Sequence, residues 1–175
     1  MEESKRNQEA EQGESPVVAA AFNRLQELYE QLPAMEQLGA QLARARSAKH
    51  VVEVVERGQA AKALLAEADE RLARAQECLA ELQQAGDAAD PARLEAAAQA
   101  VGYCGAQRGF RVGPAANADR DVAAALAVSL FASVEEARAA KLPADQFRDL
   151  ERQVTQFQEE YKKTLDLCER LAPAE

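Results

Sequence analysis

PADQFRDLERQVTQFQEEYKKTLDLCERL, residues 143–171, carries apolar or small residues at an unbroken three-then-four spacing: Phe147, Leu150, Val154, Phe157, Tyr161, Thr164, Cys168 and Leu171. A stripe of that period, kept for more than three heptads, runs down one side of a helix and requires a partner helix along its length. Outside the stripe, Glu159 with Lys163 and Asp166 with Arg170 stand four apart, as on a solvated helix face.

The same period recurs upstream. Phe22, Leu25, Leu28, Leu32, Met35, Leu38 and Leu42 keep it across Pro33, where the lost N–H and the ring predict a kink or short break near Leu32 and two helical pieces in one direction. Val51, Val52, Val54 and Val55 are β-branched, but no second strand signal exists to pair with them, so the stretch reads as helix. Gly58 reads as a helix end or a weak point. Beyond it Ala61, Leu65, Ala68, Leu72, Ala75, Leu79 and Leu82 restore the heptads, closed by Gly86. The opposite face is charged, with Glu67 placed for Arg71 and Glu70 for Arg74.

Asp90 and Pro91 suit an N-cap and first helical position, opening a short helix to Gly102. Residues 102–118, GYCGAQRGFRVGPAANA, break the pattern: four glycines, Pro114 and Asn117 predict a Gly-rich loop. Asp119 then caps a further helix, in which residues 122–134 hold no charge for 13 positions and read as the most buried helix of the fold. Ser133 and Glu136 form a capping box, a place for that helix to restart. The expected fold is all-α, an elongated helical bundle with coiled-coil-like antiparallel hairpins and four to six helices.

Composition bounds the rest. A chain of 175 residues is about one domain long, and 40 of its residues are alanine against 5% aromatics, so the core should be thin. Residues 1–15 hold five Glu, one Lys and one Arg with no large apolar side chain, which predicts a disordered acidic tail before a single helical domain at 16–175. Ser15 and Pro16 suit the N-cap and first position of the first helix. A net charge of −9 argues against a sequence-independent grip on nucleic acid and against docking on anionic lipid. Cys78, Cys104 and Cys168 are an odd number with no metal-binding spacing, and no apolar run reaches the ~20 residues of a membrane span. An intracellular protein, cytoplasmic or nuclear, is expected.

Candidate chemistry is sparse. His50, the only histidine, stands near Glu53 and Glu56, but carboxylate-bridged bundle metals need two Glu-x-x-His pairs and this is a single His-x-x-Glu. Cys104, between Gly102 and Gly105, could act as a nucleophile beside Arg108, yet no base or oxyanion hole accompanies it. Residues 107–111, QRGFR, are similar to arginine-glycine RNA-binding segments, in one copy on an acidic chain. Neither phosphate-loop nor dinucleotide spacing occurs among the glycines. No catalytic group, metal or cofactor is expected.

The expected function is a non-catalytic helical interaction module, a structural or adaptor subunit of a larger protein assembly that binds protein partners, or itself, through its helical seams. A helix of about 28 residues is ~42 Å long, whereas the 122–134 segment covers only ~20 Å, so part of the last seam needs other cover. Phe147, Leu150, Val154, Phe157 and Tyr161 are the expected contacts there. In the 102–118 segment Tyr103, Phe110, Arg108 and Arg111 are residue types that anchor interfaces. The alternatives are an amphipathic protein lying on a lipid surface and an enzyme using helix-borne carboxylates.

Overall fold

The computed structural model describes residues 16–88 and 90–172; the expected acidic tail and the Ser15 cap lie outside them. The described chain is all-α: α1 (Pro16–Gln84), a 3-10 turn (Gly86–Ala88), α2 (Pro91–Ala127), α3 (Val134–Ala140) and α4 (Ala144–Leu171). The described residues pack as two compact units, one comprising residues 16–45 and 142–172, the other lying within residues 46–141. α1 contributes to both.

In the first unit the opening segment of α1 buries Ala21, Leu28, Leu42 and Ala45, and α4 buries Val154 and Cys168. The rest of the α4 seam, Phe147, Leu150, Phe157, Tyr161, Thr164 and Leu171, is half-buried. Phe157 and Tyr161 stack with ring centroids 6.1 Å apart. Arg24 of α1 reaches Glu27 on its own helix and Glu160 on α4. Hydrogen bonds to Glu27 and then to Glu160 raise its pKa further above the ordinary arginine value, so this exposed bridge stays charged at any physiological pH.

No break occurs at Pro33, and α1 continues through it. Pro33 and Tyr29, whose carbonyl loses its donor, are both on the exposed side, so solvent can satisfy that oxygen. Leu28, Leu32 and Met35 meanwhile hold the helix from its packed side.

In the second unit the later part of α1 and α2 form an antiparallel hairpin: Asp69 pairs with Arg108, and Lys62, one heptad earlier, pairs with Asp119, further along α2, at 2.7 Å. Gly86, at φ 56°, supplies the left-handed residue that ends α1. Asp90 caps α2 by accepting from the Ala92 N–H at 3.0 Å, with Pro91 at the first position as expected. The four valines are helical, and each is buried. The core joins Ala48, Val51 and Val54 of α1 with Ala125 of α2, Ala137 of α3 and Phe131 of the connector between α2 and α3.

Three expectations are corrected here. Gly58 is not a helix end. It is buried mid-helix, and a Cβ there would lie 3.1 Å from Ala118 Cβ, so its missing side chain lets the two helices come a few tenths of an ångström closer at this point. Residues 102–118 are not a loop but the middle of α2, and Asp119 is an interior helical residue rather than a cap. About 1 kcal/mol per glycine and about 3 for Pro114 disfavour helix there. Against this, Ala97, Val101, Cys104, Arg108, Ala115, Ala118, Val122 and Ala125 are all buried or half-buried, and together they fasten the segment to α1.

Nor is 122–134 the most buried helix. α2 ends at Ala127, and Val128 is 82% exposed; the stretch lacks charge because it is alanine-rich, not because it is enclosed. The Ser129 hydroxyl donates to the Leu126 carbonyl at 2.9 Å and accepts from the Phe131 N–H at 3.1 Å. That knot turns Phe131 inward. Ser133 caps α3 as expected, its Oγ accepting from the Glu136 N–H at 3.2 Å, worth about 1 kcal/mol, while the reciprocal half of the box is displaced by one residue: Glu136 Oε2 accepts from the Ala132 N–H at 3.0 Å.

Candidate interaction surface

The hairpin of the second unit has two outward faces of opposite character. On α1, the outward residues Glu67, Glu70, Arg71, Arg74, Glu77 and Glu81 are charged and exposed, with Glu67–Arg71 and Glu70–Arg74 bridged as the spacing predicts. Such a face is soluble and weakly bonded. On α2 the strip facing away from α1 carries no charge from Gln99 to Asn117, although Arg111 and Asp119 are exposed on its flanks. The period of 3.6 puts Gln99, Gly102, Ala106, Gly109, Gly113 and Asn117 there, all exposed.

Tyr103 and Phe110, seven residues apart on one edge of that face, are 67% and 76% exposed. Cβ positions at Gly102, Gly105, Gly109 and Gly113 meet nothing within 4 Å. Four helical glycines thus cost stability without serving any contact inside the unit, in contrast to Gly58. Arg108 is tied to Asp69, and Arg111 shares the α1-facing side with Ala115 and Ala118 while its charge stays in solvent.

The other expected residues lie elsewhere. Phe147, Leu150, Phe157 and Tyr161 are half-buried in the first unit, and Val154 is 5% exposed. Tyr103 and Phe110 are open, but on a rigid helix rather than a flexible loop. What residue-type reasoning passed over is the uncharged glycine face itself; its signal is the recurrence of Gly102, Ala106, Gly109 and Gly113 at three and four residues.

Sites for chemistry are slight. A groove of about 490 Å³ between α1 and α2 has small residues such as Gly58, Ala61 and Ala118 along it and His50, Arg57 and Asp121 at its rim. Each of those three charged or titratable residues is exposed. Among the described residues, no polar or charged side chain is buried and no three His, Cys, Asp or Glu side chains gather as metal ligands. Cys104 is half-buried against α1, and the guanidinium that would activate it is held by Asp69. No helix among the described residues is long and apolar enough to cross a membrane. Comparison with known proteins finds no matching family model, no similar curated protein and no similar solved structure.

Proposed function

We propose that the chain is a non-catalytic helical interaction module, a structural or adaptor subunit of a larger protein assembly, and that it docks through the outward face of α2. The observation that carries this reading is the pair of exposed aromatics, Tyr103 and Phe110, on a helix face without charge. Buried aromatic anchors dominate the energy of protein interfaces, and a helix presents them at fixed spacing with little left to order on binding. The charged outer face of α1 favours solvent, so the hairpin has one side for water and one for a partner. The seam of α4 supports the module from within, as packing for the first unit.

A double Tyr103→Glu, Phe110→Glu variant tests the reading. Both side chains are exposed, so helicity and the melting midpoint should stay close to those of the unaltered chain. The proteins that co-purify with the chain from the cells that make it, quantified by mass spectrometry, should fall at least tenfold. A variant that keeps its fold and its whole partner set would remove α2 as the docking face.

A further inference from the structure

We infer that the partner is an amphipathic α-helix with acidic residues along one edge, and that it lies in the groove between α1 and α2 on the side of Tyr103 and Phe110. This rests on the reading of α2 as the docking element and names what it receives. The two sides of the hairpin differ. One is closed: Lys62 with Asp119 and Asp69 with Arg108 tie the helices together there, and Val134 of α3 lines a crevice with Val55 and Val122. The other carries neither bridge. On it the groove of about 490 Å³ runs from His50 and Val128 to Ala61 and Pro114, and a smaller crevice beyond holds Arg71 and Tyr103.

Both edges of this open side follow helical spacing. On α2, Tyr103, Gln107, Phe110, Pro114, Asp121 and Val128 stand four, three, four, seven and seven residues apart, and on α1, His50, Arg57, Leu64 and Arg71 stand seven apart. The exposed side chains of Tyr103, Phe110 and Val128 rise along one edge, with Leu64 on the other, while Gly58, Ala61 and Ala118 keep the floor between them low. Raised apolar edges over a floor of small residues accept the side-chain ridge of another helix. From His50 to Arg71 the edges run about 32 Å at 1.5 Å per residue, the length of a helix of about 21 residues.

Charge decides which helix fits. Arg57 is exposed, permanently charged and joined to no acid among the described residues. His50, seven residues earlier on the same edge, offers an imidazole N–H. The acids nearby are occupied: Glu53 by Lys49, Glu67 by Arg71, and Asp121, on the facing edge, by Arg120 at 3.9 Å. Two carboxylates seven residues apart on an incoming helix therefore meet Arg57 and His50 together, in charge-assisted hydrogen bonds. That preference opposes the chain's net charge of −9, which by itself attracts basic partners.

A displayed library of helices of about 21 residues, selected on the full chain, tests this, with leucines fixed at three-four spacing and the flanking positions varied among Glu, Gln and Lys. The selected helices should carry Glu on one edge at intervals of seven, and should bind at least tenfold more weakly to Arg57→Glu and to Phe110→Glu. Ala116→Glu, on the closed side, should leave binding unchanged. All three positions are exposed, and circular dichroism confirms that each variant keeps its helicity. Lysine-edged helices, an empty selection, or binding indifferent to Arg57→Glu overturns the inference. If the cellular partners are nevertheless lost from the Tyr103→Glu, Phe110→Glu variant, the docking face stands and only this occupant falls. If they persist as well, both readings fall.

Discussion

Replacing Gly105, Gly109 and Gly113 together by alanine should raise the stability of the chain by about 3 kcal/mol, measured by urea denaturation. Most substitutions destabilise, so the sign is the informative part. Each of these glycines is helical, and the space where its Cβ would stand is open to 4 Å. Alanine therefore restricts the unfolded chain by about 1 kcal/mol per site without a clash in the folded one. Unchanged stability would mean that 102–118 is not helical in solution.

Leu28→Ala should lose about 3 kcal/mol, the common cost of emptying a buried leucine site. Leu28 is 1% exposed and is the largest fully enclosed side chain of the first unit, whereas Phe22 on the same helix is 43% exposed and should cost under about 1 kcal/mol when truncated. Hydrogen exchange provides the local check. If the α4 seam packs on the opening segment of α1, the amides near Val154 and Tyr161 should exchange faster in Leu28→Ala by the factor that the lost stability implies. Exchange unchanged in α4 would mean that the seam finds its cover elsewhere.

Much of this fold is legible in the chain. Ala61, Leu65, Ala68, Leu72, Ala75, Leu79 and Leu82 keep heptad spacing and are each half-buried or buried in the hairpin, and the Asp90–Pro91 and Ser133–Glu136 signals mark true helix starts. The reading failed where local propensity and long-range packing disagree. Glycine and proline content made 102–118 a loop, but positions 97, 101, 104, 108, 111, 115, 118, 122 and 125 keep the three-four alternation straight through it. Small residues at those positions made the seam faint, because Ala, Cys and Arg do not register as a hydrophobic stripe. Pro33 and Gly58 misled for the same reason: each was judged by what it does to an isolated helix, and each sits where a neighbour or solvent removes the objection. The candidate surface was legible in its residues, Tyr103 and Phe110, but not in its geometry, since a loop and a rigid helical face present them differently.

The core of the second unit, built of Ala48, Val51, Val54, Ala125, Ala137 and a single Phe131, bears on how the protein meets heat and cold. Heat capacity rises on unfolding because apolar surface becomes hydrated, about 12–15 cal/mol/K per residue in ordinary domains. Alanine and valine bring little such surface per residue, so this unit should fall below that range. A small heat-capacity change flattens the curve of stability against temperature. The hairpin that carries the outward face of α2 would then hold nearly the same margin of stability across the whole range in which a cell lives, instead of being tuned to one temperature.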